Sequence, residues 1–129
     1  MNYLLDTCAF IEMLFAPDRL SRIARMAIEG DNALSVSIAS FWEIMIKQQI
    51  GKLDIDETSA QELQRICDEY GVEILQTEID EIDLVRKLPL IRGHGDPFDR
   101  LIICQARHRR LPVITSDGKF RQYGIDVIW

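Results

Sequence analysis

Short apolar runs alternate along this chain with longer stretches whose apolar residues recur at helical spacing, which leaves few folds open. Asn2 to Leu5, Ala33 to Ser37, Val72 to Leu75, Pro112 to Thr115 and Asp126 to Ile128 read as strands. Between them, Thr7 to Phe15, Arg19 to Glu29, Ala39 to Ile50, Thr58 to Tyr70, Glu78 to Lys87 and Pro97 to Arg109 read as helices. Gly118 to Gln122 reads as a helical turn. Pro17 closes the first helix, and Gly30, Gly51 and Gly71 stand where helices stop. Strands separated by helices of this length join through right-handed crossovers into a mostly parallel sheet. Ligands of such open sheets bind beyond the carboxyl ends of the strands, where the strand order reverses. Asp6 directly follows the first strand and Asp117 lies two residues past the fourth. If those strands are neighbours, both carboxylates meet at one crevice.

The 129 residues fit one domain, so 1–129 is expected to be a single unit with its own core. No apolar run approaches a membrane span, and no basic start precedes a long apolar segment, so a cytoplasmic protein without a signal peptide is expected. Cys8, Cys67 and Cys104 are odd in number and form no CxxC pair, which suits reduced, buried thiols in that compartment. The net charge of −6 argues mildly against nucleic acid, but its distribution matters more than its sum. Leu53 to Val85 holds eleven acids against one base, whereas Arg86 to Gln122 holds nine bases against three acids. The basic third permits a polyanionic substrate, although such runs are commonly solvated surface. Its three acids are Asp96, Asp99 and Asp117.

Each acid has an ordinary structural use. Asp96 before Pro97 has the form of a helix N-cap, and Asp99 then favours the helix dipole. Asp6 and Asp117 can cap the helical segments after them, and Glu43 can pair with Lys47 one turn on. Together they suggest more. Asp6, Asp96, Asp99 and Asp117 all fall at helix starts, and Glu43 sits on a narrow polar strip among Phe41, Trp42, Ile44 and Met45. Carboxylates so gathered repel one another unless a cation neutralises them. Oxygen ligands without His or Cys suit Mg2+ or Mn2+, the ions that assist phosphodiester cleavage by stabilising phosphate charge and activating water for attack.

The same residues carry a family resemblance. Leu4-Leu5-Asp6-Thr7 resembles the opening of a PIN domain, and Ser35 to Ile44 a segment with its glutamate early in a helix. His94-Gly95-Asp96-Pro97-Phe98-Asp99-Arg100 and the apolar residues after it resemble the third acidic motif. Thr115-Ser116-Asp117 followed by Phe120 and Tyr123 resembles the fourth. The four segments span nearly the whole chain in order, and within the family the similarity is to VapC-type toxins of toxin–antitoxin pairs. That resemblance implies a Rossmann-like three-layer α/β/α sandwich and a Mg2+-dependent endoribonuclease working through metal-bound water. It also implies an RNA substrate, a cognate antitoxin and a homodimer. Position by position, Asp6, Glu43, Asp99 and Asp117 match the family's catalytic, metal-binding acids. Asp96 matches a further acid of the subfamily, and Thr115 and Ser116 match small hydroxyl residues supporting the fourth.

Arg100 is read equally as an RNA-phosphate contact and as a partner of a neighbouring acid. His94 and His108 read as a loop and a surface histidine. Arg107, Arg109 and Arg110 read as cations closing a helix. Trp42 and Trp129 read as core or interface residues. Phe10, Met13, Leu14, Ile23 and Met26 offer a dimer surface, with core packing as the alternative. A receiver-type phosphoacceptor domain would need paired acids after the first strand, which offers only Asp6, and an aspartate at the third strand's end, which runs Leu75-Gln76-Thr77. A non-catalytic binding module and a DNA nuclease of the same chemistry remain as alternatives.

Overall fold

The computed structural model describes residues 1–55 and 57–129. Its centre is a five-stranded, all-parallel sheet in the order β3-β2-β1-β4-β5. The strands are β1 (Asn2–Leu5), β2 (Ala33–Ser37), β3 (Val72–Leu75), β4 (Val113–Ile114) and β5 (Val127–Ile128). Among the described residues, six α-helices connect them: α1 (Thr7–Phe15), α2 (Arg22–Glu29), α3 (Ile38–Gln49), α4 (Ala60–Tyr70), α5 (Ile79–Val85) and α6 (Pro97–Arg109). Two 3₁₀ turns, Pro17–Arg19 and Gly118–Tyr123, complete the path. This is the α/β/α sandwich expected from the alternation of elements.

The two-residue period of the strands divides the core between the sheet's faces. Tyr3 and Leu5 of β1, Val36 of β2 and Ile114 of β4 pack with Phe10, Ala24, Ile44 and Leu63 of α1 to α4. Leu4 and Val113, pointing the other way, pack with Ile102, Ile103 and Cys104 of α6 and with Phe120 and Tyr123. Phe10, Met13 and Leu14 therefore belong to the first core or lie against it, while Ile23 and Met26 are exposed. All three cysteines are free, and Cys8 is exposed rather than buried. No helix among the described residues is long and apolar enough to cross a membrane.

Several boundaries move from their expected places, each because a side chain caps a helix. The stretch Arg19 to Glu29 is not one helix, because Ser21 Oγ accepts the Ala24 N–H at 3.0 Å and starts α2 at Arg22. Leu20, left behind, is a buried core residue. Ser59 caps α4 through the Glu62 N–H at 3.1 Å, so that helix begins at Ala60 rather than Thr58. Glu78 and Glu81 form a reciprocal capping box, which makes Glu78 the cap of α5 rather than its first residue.

The order β3-β2-β1 then β4-β5 reverses direction between β1 and β4. Leu5 lies opposite Ile114, and the Asp6 N–H donates to the Ile114 carbonyl at 3.1 Å. Asp6 and the Thr115–Asp117 segment therefore leave the sheet side by side at the switch point.

Candidate active site

Asp6 has extended backbone angles and ends β1, so its side chain is free to cap α1. Its Oδ1 accepts the Ala9 N–H at 2.8 Å, and its Oδ2 accepts the Thr115 hydroxyl at 2.6 Å. Thr115 Oγ1 in turn accepts the Asp117 N–H at 3.0 Å, joining two acids through one hydroxyl. Asp117 Oδ1 caps the following 3₁₀ turn through the Lys119 N–H at 2.9 Å. Across the cluster, Asp96 Oδ1 accepts the Asp99 N–H at 2.9 Å and caps α6, with Pro97 in the first helical position. The capping uses expected from sequence and membership of one cluster thus coexist: the caps of Asp96 and Asp117 occupy one carboxylate oxygen each, and the second oxygen of Asp6 turns to Thr115.

Glu43 enters from the second turn of α3 and is buried. Its Oε1 accepts the Thr7 hydroxyl at 2.6 Å and its Oε2 meets Lys47 Nζ at 2.5 Å, the ion pair anticipated from their spacing. Having given its one hydrogen to Glu43, Thr7 accepts from Ser40 Oγ at 2.9 Å. Sequence reasoning does not single out Thr7 as support for a site residue, although its place directly after Asp6 is a signal.

Proton affinity shows that the acids act on one another. Burial pushes the Asp6 carboxyl up to about 6; the Thr115 and Ala9 hydrogen bonds oppose this, and Glu43 and Glu12 add to it. Asp99 is pushed up to about 7, first by burial and then by Asp96, Asp6, Glu43 and Asp117. Five carboxyl groups from four segments therefore share one field, as the joint reading of the sequence required.

His94 corrects the sequence reading. It is a buried member of this cluster, not a free loop histidine. Its Nε2 lies 3.3 Å from Asp117 Oδ2 and 3.6 Å from Asp99 Oδ2, and its Nδ1 lies 2.7 Å from the Tyr123 hydroxyl. Gly93 reaches its positive φ of 78° beside it, and Lys119 Nζ holds the Gly93 carbonyl at 2.9 Å. The segment His94-Gly95-Asp96 places the imidazole two residues from an acid, the one local signal available.

Arg100 also departs from both of its readings. It is only 8% exposed, and its guanidinium donates to the Pro89 carbonyl at 3.0 Å and the Val85 carbonyl at 3.4 Å. It ties the chain after α5 to α6. Trp42 is not core: it is 66% exposed and meets Phe98 edge-on at 5.3 Å between ring centres. Ser116 is exposed, and the support for the acids falls to Thr115. Arg109, at the C-terminal end of α6, is more than a helix-closing cation: its Nε lies 2.7 Å from Oε2 of fully buried Glu81.

The PIN-domain family profile matches residues 3–126. The chain belongs to the PIN-domain family. No curated protein sequence gives a significant match. Solved structures share the fold at low sequence identity. VapBC2 from Rickettsia felis, bound to a DNA fragment from its promoter, aligns with TM-score 0.68 and 16% identity over 98% of this chain and 97% of that one. Mycobacterium tuberculosis VapC20, a sarcin-ricin loop cleaving toxin, aligns with TM-score 0.66 and 17% identity over 95% of each chain. A toxin–antitoxin complex from Klebsiella pneumoniae aligns with TM-score 0.56 and 20% identity over 98% of this chain and 96% of that one.

The donor set fits a divalent cation. Mutually repelling carboxylates and a buried imidazole nitrogen with no hydrogen-bond partner among the described residues are groups that a positive ion satisfies at once.

Proposed function

We propose that this PIN-domain protein is a metal-dependent endoribonuclease and the toxin of a VapC-type toxin–antitoxin pair. The observation that carries the reading is the convergence of Asp6, Glu43, Asp99 and Asp117 at the sheet's switch point, with Asp99 raised to about 7 by burial and its fellow acids. Those four side chains would hold Mg2+ or Mn2+, with Asp96 contributing negative charge from the cap of α6. When bound, the ion stabilises charge on the phosphate and supplies the activated nucleophile for in-line attack.

The chain's own residues prepare that site. Thr115 orients Asp6 and sets the Asp117 backbone; Thr7 and Lys47 hold Glu43 in one rotamer. Fixing carboxylates before the substrate arrives removes reorganisation from the reaction. RNA as substrate, an antitoxin as partner, a homodimer and a cytoplasmic location are parts of the same proposal. The toxin–antitoxin assemblies and the RNA-loop cleaving toxin that share this fold support the first two.

The test is cleavage of a pool of single-stranded and structured RNA by purified protein with Mg2+, Mn2+ or EDTA, beside Asp6→Asn. Cutting that needs metal and vanishes in the variant is expected. Cutting that survives EDTA, or an Asp6→Asn variant as active as its parent, overturns the mechanism. A parallel DNA pool distinguishes a DNA nuclease, and folded protein that binds no Mg2+ or Mn2+ in calorimetry is a non-catalytic module.

A further inference from the structure

Three atoms around His94 are spaced in an informative way. Its Nε2 stands 3.3 Å from Asp117 Oδ2 and 3.6 Å from Asp99 Oδ2, longer than an imidazole–carboxylate hydrogen bond, which closes to about 2.7–2.9 Å. Ligand atoms sharing one ion lie about 3.0 Å apart around an octahedral centre with bonds of about 2.1 Å, and about 3.4 Å apart around a tetrahedral one. Nε2 therefore stands off both carboxylates at more than hydrogen-bond length and near the spacing of co-ligands, and the three ligand atoms all lie within 4.8 Å of one another.

The imidazole's other nitrogen meets a hydroxyl. Nδ1 lies 2.7 Å from the Tyr123 hydroxyl, which itself lies 3.4 Å from the His94 carbonyl. Nε2 is buried, unpartnered among the described residues and faces two carboxylates; with the proton on Nδ1, it presents them a lone pair. A lone pair facing two anions is repulsive until a cation sits among them. The same Nδ1–H to hydroxyl contact is the outer support that ligating histidines use.

We infer that His94 Nε2, Asp99 and Asp117 form a mixed nitrogen–oxygen cation seat that favours a transition ion such as Mn2+ over Mg2+. The inference rests on the acids binding metal at all, as proposed above, and adds a ligand and a selectivity to that site. Mg2+ prefers oxygen and holds its waters, whereas a first-row transition ion gains from an imidazole nitrogen. Tyr123 is a positioning residue for the ligand.

The test is pulsed electron paramagnetic resonance of the Mn2+-loaded full chain, with calorimetric titrations of Mn2+ and Mg2+ separately. The chain has two histidines, so a nitrogen signal is assignable. Echo modulation from a directly bound nitrogen is expected, shifting in frequency when the histidines carry heavy nitrogen, lost in His94→Gln and kept in His108→Gln. His94→Gln is expected to weaken Mn2+ binding by about 10- to 100-fold while changing Mg2+ binding by less than about 3-fold. The labelled parent protein keeps the test valid should His94→Gln fail to fold. Bound Mn2+ without nitrogen modulation overturns the His94 seat and leaves the carboxylate site standing. Folded protein that binds no Mn2+ overturns both.

Discussion

The Thr115 hydroxyl donates to Asp6 Oδ2 at 2.6 Å across 109 positions of sequence, with both residues buried. That bond and the Asp117 N–H returning to the same hydroxyl oxygen make Thr115 the tie between the acids of β1 and β4. Thr115→Val keeps the shape and removes both partners. We expect it to cost about 1–3 kcal/mol of stability, because a buried acceptor and a backbone N–H lose their bonds. Ser116→Ala, on exposed surface, should stay within about 0.5 kcal/mol. Urea unfolding of both variants in EDTA checks this; equal losses would remove the special role of Thr115.

Metal-free protein should lose stability as pH rises. Asp6 and Asp99 have folded-state values of about 6 and about 7 against an ordinary 3.8. Between those limits the folded chain holds protons that the unfolded chain has released. Stability from these groups is therefore full below about pH 4 and declines as pH climbs through about 6 to 7. Thermal melts in EDTA from about pH 4 to about pH 8 measure the slope. Saturating Mn2+ should flatten it, and a flat EDTA profile would mean that burial and the neighbouring acids do not hold these carboxyls protonated.

Asp99→Asn should separate stability from activity. Burial and four neighbouring acids oppose the Asp99 charge, so the neutral amide is expected to raise the melting temperature in EDTA at neutral pH. The same substitution removes a proposed metal ligand, so divalent ions should stabilise the variant less than the parent and RNA cleavage should disappear. A variant that melts lower than the parent without metal contradicts the electrostatic account.

At the C-terminal end of α6, Arg109 meets Glu81 with two nitrogens, at 2.7 and 3.2 Å, and the Gln76 carbonyl at 2.7 Å. Removing Arg109 strands the buried Glu81 carboxylate. Arg109→Ala should cost about 2–4 kcal/mol, toward the lower end of what breaking a buried pair costs because the arginine is partly solvated. Glu81→Gln together with Arg109→Ala should recover part of the loss, since no unpaired charge remains. Denaturant unfolding of the single and double variants decides it, and an additive double variant would deny the coupling.

The strands, helices and four main acids are legible in the sequence because each rests on a local signal. Strands follow short apolar runs, and the two-residue period then puts Leu4 and Leu5 on opposite sides of the sheet. Helix starts follow capping residues, and Asp6, Asp96 and Asp117 announce themselves that way. The start of α2 is not legible, because Ser21 lies inside a run whose apolar period continues through Leu20, so a cap competes with a period and wins. Chain order alone therefore determined the α/β class, the sheet's parallel sense and the acids at the ends of its elements. Tertiary structure alone decided what those acids meet. Arg100 is consumed by two carbonyls 11 and 15 residues away, and His94 is turned into the cluster by Tyr123, 29 residues on. Such contacts depend on how separate elements pack, and no spacing along the chain encodes the few tenths of an ångström that separate a hydrogen bond from a shared cation.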